Sequence, residues 1–204
     1  INPMWGIQMS NELDRLLRLM TNNLCQSELP ICQVVATAVE ESVGQIPKKS
    51  GPKSESIPFK LDDIDLPLFD TQMDLCQAIF RSSADLSWRR PGFGKIPDDI
   101  ASHMAVCEII GPTGQIKNEM VRAGLLFQAS GITYPRHSHA AEEIYFPLTG
   151  PVEWQIQNNN WRQKEAGSLI HHLPYQPHAI RTSKTPLLTI WGWSGDIDPN
   201  SYRI

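Results

Sequence analysis

The chain has 204 residues, with 18 Lys and Arg against 22 Asp and Glu, a formal net charge of −4 and a pI near 5.9. That length suffices for one well-cored domain with an appendage. The mildly acidic balance and the lack of basic blocks argue against nucleic acid as a partner. No apolar run approaches the ~20 residues of a membrane-crossing helix, so a soluble protein with no membrane partner is expected.

Four cysteines, Cys25, Cys32, Cys76 and Cys107, lack the close pairs of a zinc ribbon or redox motif and read as reduced thiols of a cytoplasmic protein. Because the chain begins at Ile1, a removed leader and a periplasmic location stay open.

In chain order, Ser10-Asn11-Glu12 offers a helix cap, and Leu13, Leu16, Leu17, Met20 and Leu24 recur at helical spacing, predicting a helix over about 10–25. The stripe reads as core packing or as the seam of a homodimer. Ile31, Val34, Val35 and Ala38 predict a second helix to about 43. Residues 44–67 are rich in Pro, Lys, Ser and Gly and read as an exposed loop, a linker rather than a lid. A third helix is expected from Asp70 to about Ser83.

After the turn-rich stretch Arg89–Gly94, strands are expected near 104–110, 120–129, 142–148, 152–157, 168–172, 178–182 and 186–193. The Asn158-Asn159-Asn160 run suits a hairpin turn, because Asn tolerates positive φ. Seven short strands suggest a closed or sandwich-like barrel over 88–204, preceded by a helical region over 1–87.

The chemistry concentrates in Gly131–Gly150 and again at His178. Residues two apart on a strand share a face, so a strand through His137, His139, Glu143 and Tyr145 would aim all four one way. Neutral imidazoles and a carboxylate suit one divalent ion, Zn, Fe, Mn or Ni, with positions left open for substrate. The same parity selects Glu143 over Glu142, which should face outward, and puts Arg136 on the face away from His137. His171 and His172 stand outside the ligand frame and read as structural or substrate contacts. Trp154, Trp161, Trp191 and Trp193 are mostly expected in the core. Trp191 and Trp193 share a face and would suit an onium group, which is best held over an aromatic ring.

These residues resemble the cupin superfamily. Its first motif runs Gly, five residues, His, one residue, His, three or four residues, Glu, six residues, Gly, and Gly131 to Gly150 fits every marked position. Gly167 to His178 is similar to the second motif with departures: Leu173 replaces a Pro, Tyr175 the turn Gly, and Arg181-Thr182 the usual Asn. Tyr145, two residues past the Glu, and Tyr134, three before the first His, narrow the resemblance to the cupin-type dimethylsulfoniopropionate (DMSP) lyases.

The resemblance implies a mainly β fold, a single cupin β-barrel (jelly roll) behind an α-helical N-terminal region. The implied metal ligands are His137, His139, Glu143 and His178. The implied reaction is β-elimination of a zwitterionic sulfonium carboxylate to dimethyl sulfide and acrylate, with Tyr145 or Tyr134 as a base of depressed pKa and Tyr134, Trp191 and Trp193 as substrate contacts. A non-haem Fe(II) dioxygenase, an isomerase and a non-catalytic small-ligand cupin are the alternatives that the same ligand set admits.

Overall fold

The computed structural model describes residues 11–45 and 70–204. The first helix, α1 (Glu12–Leu24), starts where the Asn11 side chain accepts the Leu13 N–H at 3.1 Å, so Asn11 is the cap. Its apolar stripe, Leu13, Leu16, Leu17, Met20 and Leu24, is buried within this one chain. Burying five such side chains contributes on the order of 10 kcal/mol before side-chain entropy is subtracted.

Helix α2 (Pro30–Glu41) opens with Pro at a position whose N–H would be unpaired in any case. Helix α3 (Asp70–Arg81) packs on α1. From residue 46 onward, the polar loop expected over 44–67 lies outside the described residues.

The β region holds β1 (Met104–Gly111), β2 (Ile116–Lys117), β3 (Val121–Gln128), β4 (Thr133–His137), β5 (Glu142–Pro147), β6 (Val152–Ile156), β7 (Arg162–Lys164), β8 (Ile170–His172), β9 (His178–Arg181) and β10 (Leu187–Ser194). All seven expected strands are present. The three unforeseen ones are β2 and β7, too short to show a period, and β4, whose Pro135 reads as a turn. A one-turn helix, α4 (Asp98–Ala101), precedes β1. In the β6–β7 turn the positive φ of 54° falls on Gln157, not on the asparagines after it.

Two sheets face each other, one ordered β2-β1-β3-β10-β5-β8 and the other β4-β9-β6-β7. The helices cover the outer face of the larger sheet, with α2 resting on β3, β5 and β10. Hence β1, β3 and β10 are buried along their whole length, and their sequences run apolar rather than alternating.

One core joins the helices to outward residues such as Ala105, Cys107, Leu125 and Ile190. A second fills the space between the sheets with Val106, Leu126, Trp154, Trp191 and Trp193.

Gly192, between the two tryptophans, is the contact point for α2: a Cβ there would lie 2.9 Å from Val35 Cγ1 and 3.1 Å from its Cγ2. Gly192→Ala is therefore expected to lose about 1–3 kcal/mol through overpacking. A thermal melt should show the loss, and Val35→Ala in the same chain should return part of it. An unchanged melting temperature would mean that α2 does not press on β10 as described.

Candidate metal centre

The expected ligands converge, though not from one strand. His137 ends β4 in the smaller sheet, Glu143 lies on β5 in the larger, and His139 sits in the crossing between them. Parity along one strand thus picked residues that do meet, for a reason that the structure replaces: two strands of opposite sheets aim inward together. His178 begins β9 and pairs with His137 across the smaller sheet. Tyr134 and His137, of opposite parity, both reach the interior because a register shift between them adds one residue to β4.

Each of the three imidazoles is oriented by a backbone carbonyl. Nδ1 of His137 lies 2.8 Å from Pro135 O, that of His139 3.0 Å from Ala141 O, and that of His178 2.9 Å from Gln176 O. A carbonyl only accepts, so Nδ1 carries the proton and each Nε2 offers a lone pair.

One nitrogen from each of the three rings falls within a 4.8 Å cluster, and all three residues are buried. Glu143 Oε2 stands 3.0 Å from His139 Nε2 and 3.1 Å from His178 Nε2. Its Oε1 accepts from Trp193 Nε1 at 2.6 Å. His178 Nε2 is a buried nitrogen without a hydrogen-bond partner. Converging lone pairs beside a buried carboxylate are relieved by a cation, and outward hydrogen bonds that fix the ligand rings are what a metal centre requires. These residues fit one divalent ion.

The electrostatics agree. Burial, then His178, holds His137 well below the usual imidazole range, in the neutral form that can act as a ligand. Burial by itself would raise Glu143, but positive charge and N–H donation from His139 and then His178, the part that a cation would take at the same point, outweigh it and hold the carboxyl well below its usual range.

The tyrosines depart from expectation. Burial, and after it Glu143, raises Tyr145 well above its ordinary value. Burial also raises Tyr134, against a lowering hydrogen bond from Tyr202. Without a cation, therefore, the protein does not depress either phenol.

His172, outside the ligand frame, lies at the centre. It is fully buried, stacks on His178 at 3.9 Å and 7°, and accepts from Trp154 Nε1 at 3.0 Å. It forms a second buried cluster with Glu143 and His178. Burial and His178 push it down to about 2. Its neighbour His171 points outward and pairs with Glu142 at 2.6 Å, so Glu142 does face away, as parity required. Arg136 is also outside, donating to Gln157 O.

These shifts share one sign for stability. The folded values of His137, His172 and Glu143 lie below their unfolded values, so the unfolded chain binds more protons in the acidic window. Stability of the chelator-treated protein is expected to be fully present above about pH 6.5 and to fall progressively on acidification below it. A melting temperature independent of pH between about 7 and 4 would overturn this assignment of charge.

A cleft enclosing about 400 Å³ of empty space, its open mouth included, adjoins the cluster and is lined by Tyr134, Tyr145, Trp191, Trp193 and Tyr202 among others. The tryptophans are anchored, Trp191 Nε1 on Leu125 O at 3.1 Å and Trp193 on Glu143. Trp193 also lies against the His139 ring at 4.3 Å.

Tyr202 went unnoticed in the sequence. Its hydroxyl donates to that of Tyr134 at 3.0 Å, and its ring stacks on His137 at 5.2 Å. The C-terminal segment puts it there through a bridge between Ser138 and Arg203 and the Ser201 hydroxyl, which accepts the Ala140 N–H at 3.1 Å. No local pattern marks such a residue. Tyr175, in place of a turn glycine, keeps the glycine-like conformation with φ 59° and remains exposed. Its N–H reaches His139 O at 2.7 Å, so the departure in the second motif leaves the turn intact.

Two facing sheets with three imidazoles and a carboxylate gathered between them define a cupin. Residues 57–189 match the profile of the dimethylsulfoniopropionate lyase family, and the chain belongs to that family. It is 30% identical over 122 residues to the DMSP lyase DddQ of Ruegeria pomeroyi, covering 59% of this chain and 61% of that protein. It is 35% identical over 123 residues to the putative DMSP lyase DddL of Cereibacter sphaeroides, covering 59% and 51%. Both matches span less than two thirds of the relatives' own length.

Among solved structures, DddQ of Ruegeria pomeroyi superposes with a TM-score of 0.71 at 24% identity, over 92% of this chain and 93% of that one. A chain from the structures of the DMSP lyases RdDddP and RnDddQII gives 0.74 at 21%, over 95% and 97%. Both likenesses establish the fold, the N-terminal helices included.

Proposed function

We propose that the protein is a metal-dependent lyase that cleaves DMSP to dimethyl sulfide and acrylate. The observation that carries this reading is the convergence of His137, His139, His178 and Glu143 beside a tyrosine- and tryptophan-lined cleft, in a chain of the DMSP lyase family. Held by those four residues, a divalent metal supplies Lewis acidity that stabilises developing negative charge and lowers the cost of a nearby phenolate.

The chain's own groups do the rest. Tyr145 is the base: it shares the β5 strand with Glu143 and faces the same side two residues on, where its phenol hydrogen-bonds the Glu143 carboxylate. The Tyr134 hydroxyl is already engaged with Tyr202 and serves to position substrate.

Tyr145 as phenolate takes a proton from the carbon next to the substrate carboxylate. The released electron pair forms the carbon–carbon double bond, and the carbon–sulfur bond breaks with its pair leaving on sulfur. Neutral dimethyl sulfide departs without an acid, and acrylate keeps the carboxylate. Trp191 and Trp193 line the cleft and offer aromatic surface to the sulfonium, which has no N–H to donate.

The test is headspace gas chromatography of dimethyl sulfide after mixing protein with DMSP, with and without chelator and with Mn, Fe or Zn restored. Chelator-sensitive gas with matching acrylate is expected. No product with any metal would remove the lyase reading, and oxygen uptake on a candidate substrate would replace it with a dioxygenase.

A further inference from the structure

We propose that Phe93 forms the end wall of the cleft and sets the size of the alkyl groups that its occupant can carry on sulfur, an assignment that rests on the DMSP reading. The backbone gives the first sign. Gly92, Phe93 and Gly94 all adopt left-handed conformations, with φ of 72°, 53° and 78°. Glycine takes that region freely, whereas a Cβ there crowds the following carbonyl oxygen. An aromatic residue in this conformation is held by its surroundings, and such strain gathers where a side chain has a task in a site.

The surroundings are firm. The Arg89 guanidinium lies over the Phe93 ring at 5.0 Å and that of Arg122 at 5.8 Å. Both arginines are held in turn by the buried Glu108. Arg122 Nη1 stands 3.0 and 2.9 Å from its two oxygens, and Arg89 Nη2 3.2 Å from one of them. The Phe93 ring also meets Trp193 at 5.9 Å and, edge to face, Tyr202 at 6.0 Å. The Lys95 N–H closes the turn on Gly92 O at 2.9 Å.

Strand register gives the distance from the metal centre. Arg122 on β3 pairs with Trp193 on β10, and Trp193 pairs with Glu143 on β5. Directly paired residues share a face, so the three form one row across the inner face of the larger sheet. Two strand spacings of about 4.8 Å separate Arg122 from Glu143, roughly 10 Å in all. Phe93 lies against the Arg122 and Trp193 end of that row, and Phe93, Trp193 and Glu143 all line the cleft.

The chemistry assigns the two ends. A metal stabilises the charge that develops beside the substrate carboxylate, so the carboxylate lies at the Glu143 end and the sulfonium is carried along the row toward Phe93. The S-methyl groups are then the part of the substrate that meets the ring. A ring that already carries guanidinium is a poor seat for a second cation. Phe93 therefore acts by excluding bulk and leaves the onium charge to the tryptophans. One methylene too many in such a pocket costs about 10- to 200-fold.

The test compares DMSP with its diethyl homologue, which differs by one methylene on each alkyl group. Metal-loaded protein is titrated with each, tryptophan fluorescence reporting binding, and the headspace is assayed for dimethyl and diethyl sulfide. Metal content and melting temperature are followed in parallel. The parent is expected to bind the diethyl homologue at least about 10-fold more weakly than DMSP. In Phe93→Gly, which opens the wall and suits the left-handed backbone, the two should differ by less than about three-fold with metal content unchanged. Phe93→Leu should fall between, and it decides by the same ratio if the glycine variant does not fold.

Equal binding of the two homologues by the parent overturns the proposal. So does a ratio unchanged in the variants, whether affinity for both ligands is kept or lost, since that marks Phe93 as only packing for Trp193 and Tyr202. If the parent releases both sulfides alike, the wall falls and the lyase reading stands. If binding depends on alkyl size through Phe93 yet no sulfide is released, the wall stands for an onium carboxylate ligand and the lyase reading falls. No binding of DMSP by the parent removes both.

Discussion

His178→Ala is expected to lower metal affinity by more than the 10- to 100-fold that loss of an outer partner costs, and dimethyl sulfide production should fall with it. His178 is the residue that the two buried candidate clusters share, His137-His139-His178 and Glu143-His172-His178. Its Nδ1 is committed to Gln176 O, its Nε2 is a buried lone pair 3.1 Å from Glu143, and stacking on His172 at 3.9 Å holds the ring still. Alanine removes the nitrogen and leaves the Glu143 carboxylate buried with one partner fewer.

His171→Ala is the control, because that ring points outward to Glu142 and its loss should leave metal content unchanged. Metal analysis of purified, dialysed protein decides the matter. Full occupancy in His178→Ala, or equal depletion in both variants, would remove His178 from the ligand set.

Tyr145→Phe should leave metal content and KM near those of the parent while kcat falls on the order of 10²- to 10⁴-fold, the contribution of a positioned base. The phenol is buried, and in the metal-free protein burial and Glu143 keep it protonated. On the proposed mechanism a base exists only when a cation offsets Glu143, which would tie turnover to metal content. Tyr134→Phe should cost much less, since Tyr202 still occupies the cleft wall beside it. Should Tyr134→Phe be the crippled variant and Tyr145→Phe the active one, the roles must be exchanged. Near-parent turnover in both would end the tyrosine-base mechanism.

Much of the centre was legible in the chain because its four ligand candidates carry fixed spacings around glycines. The interval from Gly131 to Gly150 contains three of them, and the Pro-His-Ala of residues 177–179 marks the last. The geometry behind the spacing was not legible. A single strand seemed required by parity, yet residues 138–141 turn the chain from one sheet to the other, and a bulge in β4 brings Tyr134 to the same side as His137. Periodicity reports local direction only, and either a bulge or a crossing cancels it. The strands were found as apolar runs, but the reason for those runs, helices packed on the outer face, appears only in the tertiary arrangement.

By itself, the sequence determined the helical stripe of α1, the strand-rich second half, the cluster of ligating residue types and the outward placing of Glu142 and Arg136. Each of these follows from side chains within a few residues of one another, where backbone period and ligand chemistry act directly. Tertiary structure alone decided that Tyr202 meets Tyr134 across 68 residues, that His172 stacks on His178 and accepts from Trp154, and that Arg89 shares Glu108 with Arg122 at the edge of the cleft. Those contacts join strands and termini far apart in the chain, and they depend on sheet order and on the closure of two sheets over one interior, which no local pattern encodes.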